Sequence, residues 1–279
     1  MKKIQRKTLL YKSGVEGAAY SLNHVEGCTH GCLYPCYAYL MKKRFGKFKD
    51  YKDWREPRVV ENSLELLEKE LGKLKGRIES VYMCFATDLF MYKQKEIIGL
   101  SLEIIKRLNK EGIKVVTISK GIYSSGLTDK KIFGADNEYG STVVSLSEEF
   151  RKKYEPFSAS VNDRIKSLKK LHDAGLKTWV IMEPYPTPNI IKQDISEILE
   201  KISFIDEVFF GRMNYSKLVT DYKGYKSFYN YNVLKVMDFC GKKGIKCHIK
   251  TGTLDKNQLN LDYLNYPPAF KKIADKLSA

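Results

Sequence analysis

Three cysteines lie within nine residues near the N-terminus, in the segment CTHGCLYPC that begins at Cys28. Cysteine thiolates bind iron-sulfur clusters, zinc and copper(I). Glycines and a proline in and beside the segment allow an irregular loop that turns several sulfurs toward one centre. The spacing therefore predicts a shared metal centre, and an iron-sulfur cluster at this position would indicate an enzyme.

The same cysteines leave a zinc site open. Cys28, Cys32 and Cys36 recur every four residues, so a helix would place them on one face, with His24 one turn earlier. One histidine and three cysteines form a common zinc ligand set. Two glycines and a proline disfavour a regular helix here. Ordinary core packing of three separate thiols is a third interpretation, but a crowded polar loop is a poor place for it.

Composition sets the expected compartment and partners. Six cysteines in 279 residues do not predict a disulfide scaffold, and no apolar run near the N-terminus is long enough for a signal peptide or a membrane span. We therefore expect a cytoplasmic protein with no membrane partner. The net charge of +16 leaves nucleic acid open as a partner, but 40 lysines against 9 arginines favour a solvated lysine surface.

The elements that must position these residues alternate apolar runs with amphipathic ones. Residues 162–174 form a predicted helix with caps at Asn162 and Asp163 and an end at Gly175. Strands separated by helices imply parallel βαβ units, and six in series imply a partial six-stranded barrel of the TIM type with a C-terminal extension. The predicted strands are 18–23, 81–86, 114–119, 142–147, 178–183, 207–210 and a further strand at 246–251; the other predicted helices are 64–74, 95–110, 190–201 and 231–242.

One domain accommodates this length. We expect residues 1–215 to form the barrel core and residues 216–279 to form an extension packed on the same domain. Residues 45–62 are polar and residues 215–231 are rich in tyrosine and lysine. Both stretches are interpreted as insertions.

In parallel barrels the ligand site lies at the carboxyl ends of the strands. The cysteine loop follows the first predicted strand, and polar or reactive side chains follow the others. Each of them alone is typical of a helix cap or turn. Their shared placement favours a binding site. The residues are Cys84, Thr87 and Asp88, then Ser119 and Lys120, then Ser145, then Glu183, and finally Arg212, Asn214 and Tyr215.

The order of these motifs resembles the radical S-adenosylmethionine (SAM) superfamily and is most similar to its spore photoproduct lyase-like branch. The resemblance covers about residues 18–186. It rests on the cysteine loop through Tyr37-Ala38, on Ala86-Thr87-Asp88, on Thr117-Ile-Ser-Lys120, and on the segment from Ser145 to Arg164.

The resemblance implies two cofactors, a [4Fe-4S] cluster and SAM, and an external electron donor such as a flavodoxin or ferredoxin. Reductive cleavage of SAM would give a 5'-deoxyadenosyl radical that abstracts hydrogen from an unidentified substrate. The implied cluster ligands are Cys28, Cys32 and Cys36, and the implied SAM contacts are Tyr37, Thr87, Asp88, Lys120 and Ser145. No catalytic residue is assigned by the resemblance; the candidates are Cys84, Glu183, Arg212, Asn214 and Tyr215.

The chain departs from the family pattern at two positions. The interval between Cys32 and Cys36 holds three residues, where the family has two. Spore photoproduct lyases carry a hydrogen-returning cysteine at the position of Phe85 here, and Cys84 lies one residue earlier. Lesion repair on DNA is therefore an alternative function, and a non-catalytic, zinc-stabilised nucleic-acid-binding protein is an alternative of another class.

Four further residues are expected to have structural roles near the site or in the core. Glu155 and Arg164 are expected to form an ion pair beside the site, unless Arg164 approaches the cofactor. Cys240 lies in an apolar helical pattern, and we expect it and Cys247 to be structural, since an auxiliary cluster would need two more ligands.

Overall fold

The computed structural model describes residues 1–14, 19–74 and 76–278. The strands are β1 (Lys2–Ile4), β2 (Leu10–Lys12), β3 (Tyr20–Leu22), β4 (Val25–Glu26), β5 (Arg58–Val60), β6 (Ser80–Met83), β7 (Lys114–Ser119), β8 (Glu138–Thr142), β9 (Lys177–Tyr185), β10 (Glu207–Arg212) and β11 (Lys246–Ile249). The helices are α1 (Tyr37–Arg44), α2 (Tyr51–Trp54), α3 (Ser63–Leu74), α4 (Lys95–Lys110), α5 (Lys130–Phe133), α6 (Glu148–Tyr154), α7 (Val161–Asp173), α8 (Ile195–Lys201), α9 (Lys217–Thr220), α10 (Tyr225–Lys243), α11 (Lys256–Asp262) and α12 (Pro268–Ser278).

Most predicted elements are present, with shifted ends. The bounds of β7 and α4 match the prediction, whereas residue 18 of the first predicted strand lies outside the described residues. The predicted caps of α7 are wrong. Ser160 is its N-cap, and the Ser160 side chain accepts a hydrogen bond from the Asp163 N–H. Helix α8 begins five residues later than predicted because Asp194 caps it, accepting from the Ser196 N–H at 2.9 Å.

The fourth predicted strand, 142–147, is wrong in position, since β8 spans Glu138–Thr142. Its first residue is charged, which hides the strand from a search for apolar runs. The Glu138 carboxylate is compensated by Lys114 at 2.9 Å and Lys177 at 3.0 Å. Ser145 therefore lies three residues beyond the strand rather than within it.

The polar stretch 45–62 contains structure that its composition does not indicate. Strand β5 pairs with β1 in parallel and with β4 in antiparallel orientation to form a small sheet. Ala38, Phe48 and Trp54 form a buried cluster beside it. Strands of two or three residues are too short to show a periodic pattern, and tertiary contacts decide that they form.

The chain divides into two compact units, and the first comprises Met1–Ser141 and Arg151–Thr178. Its larger sheet places β2 antiparallel to β3, followed by the parallel strands β6, β7 and β8. The apolar face of α4 is fully buried, with no exposure at Ile97, Ile104 or Leu108. Because β3, β6 and β7 run in parallel, the segments that follow them emerge at one edge of the sheet.

The second unit comprises Thr142–Phe150 and Trp179–Ala279. Strands β9, β10 and β11 pair in parallel within it, with Val208 opposite Val180 and Cys247. Helices α10, α11 and α12 share a buried cluster that includes Leu234, Leu259 and Phe270. The domain boundary predicted at residue 215 stays a prediction. Within the described ranges, no helix has both the length and the apolar character that a membrane span requires.

Candidate cofactor site

The cysteine loop is an irregular turn between β4 and α1, as its glycines and proline predict. The Cys28 N–H donates to the Trp54 carbonyl at 3.0 Å, and the Leu33 N–H donates to the Tyr154 carbonyl at 2.8 Å. Gly27 has φ +84°, and an added Cβ would lie 2.6 Å from the Trp54 oxygen. Both the conformation and the close approach therefore require glycine at this position.

The three loop cysteines are free thiols that are partly buried. Burial, with the Asp88 charge, raises the pKa of Cys28 well above its ordinary value. Burial also raises the pKa of Cys32, to about 12, against the opposing charge of Lys120. Thiols in such surroundings are neutral until a metal binds, and metal binding displaces their protons. Three thiols on one partly buried loop fit the ligand set of an iron-sulfur cluster.

Between Cys32 and Cys36 the loop turns Leu33 outward and Tyr34 inward. Leu33 is 61% exposed, whereas Tyr34 is 6% exposed. The Tyr34 hydroxyl donates a 2.5 Å hydrogen bond to Glu155 Oε1. The loop is thus anchored to a residue 121 positions away in the chain. Cys36 then occupies the N-cap position of α1.

Glu155 and Arg164 form the predicted ion pair, with 2.5 Å between Arg164 Nη2 and Glu155 Oε2. The two side chains are 2% and 1% exposed. Burial alone would raise the pKa of Glu155, but the charges of Arg164 and Lys120 and the hydrogen bond from Tyr34 hold it below its ordinary value. The structure therefore contains a charged carboxylate beneath the cysteine loop. Arg164 also donates through Nε to the Ala159 carbonyl at 3.0 Å.

Lys120 lies over the Tyr34 ring, with its Nζ 5.7 Å from the ring centre. Burial alone would lower the pKa of Lys120, but the neighbouring Cys32 sulfur and the Glu155 carboxylate raise it above its ordinary value. The amine is therefore a retained positive charge beside the cysteine loop. A carboxylate bound near the loop would find this cation in partly desolvated surroundings, where charge pairing is stronger than in water.

Asp88 joins two strand ends and the cysteine loop through both carboxylate oxygens. Oδ1 accepts from the Phe90 N–H and the Ser119 hydroxyl, each at 2.8 Å. Oδ2 accepts from the Lys120 N–H at 2.8 Å and lies 3.4 Å from His30 Nδ1. Asp88 is buried, and these contacts make it an organiser of the site. Its predicted contact with SAM stays a prediction.

Two other predicted SAM residues flank the cysteine loop. The Thr87 hydroxyl donates to the Gly27 carbonyl, which ties the end of β6 to the start of the loop. Tyr37, after the last cysteine, is 60% exposed, and its hydroxyl lies 3.6 Å from Met41 Sδ. Ser145 lies in the second unit, is 2% exposed, and accepts through Oγ from the Ser147 N–H at 3.1 Å.

His24, the fourth ligand of the zinc alternative, is occupied elsewhere. Its Nε2 lies 2.8 Å from Ser101 Oγ, and its Nδ1 lies 3.4 Å from Cys84 Sγ. Burial, with the charge of Arg6, lowers the pKa of His24 to about 3. Among the residues described by the structure, no three Cys, His, Asp or Glu side chains converge closely enough to hold a single metal ion. A tetrahedral zinc site needs such convergence, whereas cluster ligands bind separate irons.

The remaining catalytic candidates fall into two places. Cys84 is completely buried in the first unit against His24, and burial raises its pKa to about 12. In the second unit, Asn214 accepts from Arg212 Nε at 2.7 Å and donates to Glu183 Oε1 at 3.4 Å. Burial raises the pKa of Glu183, although Lys250 and Asn214 oppose this effect. Tyr215 is 73% exposed.

Sequence reasoning missed two residues of the site, His30 and Tyr34. Both lie inside the cysteine motif, between the predicted cluster ligands, and this position is the sequence feature that could have indicated a role in the site. His30 is 1% exposed, and its Nε2 accepts from the Tyr92 N–H at 3.0 Å. Burial lowers the pKa of His30 to about 4, against the charge of Asp88. His30 is therefore a neutral tether between the loop and the segment after β6.

Parallel strands joined by helices, with a three-cysteine loop and a partly buried lysine at one edge, define an α/β protein built to hold a cluster beside a small ligand. The chain belongs to the radical SAM superfamily, whose family model matches residues 22–202. It is 30% identical over 216 residues to the uncharacterized protein MJ0683 of Methanocaldococcus jannaschii, covering 76% of this chain and 77% of that protein. It is 25% identical over 197 residues to the uncharacterized protein ORF301 of Acidianus two-tailed virus, covering 66% of this chain and 61% of that protein.

Solved structures of spore photoproduct lyase share the fold. One, complexed with a dinucleoside spore photoproduct, has a TM-score of 0.62 at 14% identity, covering 88% of this chain and 80% of that chain. A second, of a spore photoproduct lyase mutant with the dinucleoside, has a TM-score of 0.64 at 13% identity, with the same coverage. The predicted fold class is confirmed. The superfamily uses a [4Fe-4S] cluster and SAM, and these are the cofactors of this chain.

Proposed function

We propose that this enzyme binds its [4Fe-4S] cluster through Cys28, Cys32 and Cys36 and cleaves SAM reductively to abstract hydrogen from its substrate. The anchored cysteine loop carries the proposal. Its backbone is tied to Trp54 and Tyr154, and its inward tyrosine is bonded to a buried carboxylate. Such tethering holds ligands at fixed separation, which a cluster site requires.

Each flanking residue has a proposed task. Lys120 retains its charge beside the loop, so it can pair with the carboxylate of SAM. Thr87, joined to the start of the loop, would orient the methionine amino group. Ser145 and Tyr37 are proposed further contacts. When bound, the cluster and SAM supply one-electron cleavage that yields a 5'-deoxyadenosyl radical, while the protein's part is to position them and exclude water.

The electron donor is proposed to be an acidic carrier such as a flavodoxin or ferredoxin. The chain carries 49 basic and 33 acidic residues. Opposite net charges accelerate the encounter of two proteins and make it sensitive to salt.

Anaerobic reconstitution tests the proposal. We expect a brown protein with about four irons per chain that releases methionine and 5'-deoxyadenosine from SAM after reduction. Cys32→Ala should lose the cluster, whereas Cys247→Ser, a cysteine of the second unit, should retain it. A colourless protein with one tightly bound zinc and no SAM cleavage would contradict the proposal.

Action on a nucleic acid is the second candidate, supported by the net charge of +16 and by the spore photoproduct lyase fold. Cys84 would be the hydrogen-returning group, and its burial against His24 means that the segment after β6 would have to rearrange. Binding to lesion-containing DNA should weaken steeply with salt. Binding that is absent, or indifferent to salt, would remove this candidate.

A further inference from the structure

A cavity of about 340 Å³ lies in the second unit, at the carboxyl ends of β10 and β11. The first turns of α10 and the segment that follows β11 close its sides. This volume suits a ligand the size of a nucleotide rather than a single ion. The lining side chains include Arg212, Tyr225, Lys226, Asp255 and Lys256.

The charges around this cavity do not balance. Lys226 pairs with Asp255, with 2.9 Å between Lys226 Nζ and Asp255 Oδ2. Arg212 and Lys256 line the same cavity, and within the described residues neither has a carboxylate partner. Two positive charges therefore remain for an anion.

Arg212 is held in place by polar contacts that leave part of its guanidinium available. Nε donates to Asn214 Oδ1 at 2.7 Å, and the backbone N–H donates to Thr253 Oγ1 at 3.2 Å. Gly252 passes beside the guanidinium at φ +77°, and a Cβ there would lie 3.8 Å from Arg212 Nη2. Since Gly252 has no side chain, it leaves the Nη atoms uncovered on that side. A guanidinium fixed through Nε can still present its two Nη groups to two phosphate oxygens.

We propose that this cavity binds the phosphate group of a nucleotide. Arg212 would contact two phosphate oxygens, Lys256 would add charge at the rim, and the partly buried ring of Tyr225 would offer a face for the base. This inference goes beyond the proposed function, since the binding requires neither the cluster nor SAM.

Calorimetric titration of the full reconstituted chain tests the proposal, with uridine monophosphate, uridine and inorganic phosphate as probes. A pyrimidine is chosen because an adenine nucleotide could enter the SAM site. We expect sub-millimolar binding of uridine monophosphate, at least tenfold weaker binding of phosphate, and no binding of uridine. Affinity should fall as salt rises.

Variants locate the binding. Arg212→Gln should weaken the binding of uridine monophosphate at least tenfold. Lys256→Gln, at an exposed position where folding is not at risk, should weaken the same binding about threefold. Lys201→Gln is the matched control, because this exposed lysine ends α8 and lies ahead of β10, at the opposite edge of the strands. Equal losses in Lys201→Gln and Lys256→Gln, no binding by the unmodified chain, or uridine binding as tightly as its monophosphate would overturn the proposal. Inorganic phosphate binding as tightly as the nucleotide would overturn the nucleotide assignment.

Discussion

Replacing Tyr34 with Phe removes one hydroxyl from the cysteine loop. That hydroxyl donates a 2.5 Å hydrogen bond to Glu155, and the two side chains are 6% and 2% exposed. Hydrogen bonds to charged groups contribute about 1.5–3 kcal/mol. Because Glu155 is charged and buried, we expect the upper part of this range, a loss of about 2–3 kcal/mol in the local stability of the loop.

Hydrogen exchange measured by mass spectrometry reads this loss at the loop itself. The Leu33 N–H donates to the Tyr154 carbonyl at 2.8 Å, so its exchange reports opening of the loop. A loss of about 2–3 kcal/mol corresponds to exchange about 30- to 150-fold faster.

Tyr37→Phe is the matched control, because Tyr37 is 60% exposed and its hydroxyl contacts only Met41 Sδ in the described structure. Tyr37→Phe should change the local stability of the loop by no more than about 0.5 kcal/mol. Equal protection of Leu33 in Tyr34→Phe and Tyr37→Phe would refute the anchoring argument.

Three further predictions concern the same unit. Glu155→Gln removes the carboxylate that pairs with the buried Arg164 guanidinium and should lower the free energy of unfolding at pH 7 by about 3–5 kcal/mol. Folding lowers the pKa of Glu155, so the ionised carboxylate stabilises the folded state fully at pH values above its ordinary pKa of 4.5. This stabilisation is lost as pH falls through the pKa of the folded state. The urea midpoints of the variant and the parent should therefore converge in acid. Because the pKa of His24 is lowered to about 3, its imidazole NMR shifts should not move between pH 7 and 4 in the folded protein. Stability should fall as pH drops below 6.5, because only the unfolded chain gains a proton at His24 there. An imidazole titration near pH 6.5 would contradict the burial of His24. Gly27→Ala should cost about 1–3 kcal/mol and reduce iron incorporation, whereas Gly46→Ala, also at positive φ but with nothing within 4 Å of the added Cβ, should cost less and keep its iron.

The spacing of apolar residues predicts the bounds of a helix or strand correctly where the segment's own residues determine its structure. Strand β7 is a continuous β-branched run and α4 has an apolar face at helical spacing, so their bounds could be read directly. Strand β8 was misplaced because its first residue is a glutamate whose lysine partners come from other strands. The short strands around residue 58 left no periodic signal at all.

The site divides in the same way. Sequence by itself determined the cysteine loop, the polar strand ends and the family, because these depend on residue types at fixed spacing. Only the tertiary structure decided which partners those residues meet. It paired His24 with Cys84 and Ser101 rather than with the loop cysteines, and it anchored Tyr34 on a carboxylate 121 residues away. The physical reason is that burial leaves polar groups no water to bond, so the fold must supply each partner from wherever the chain passes.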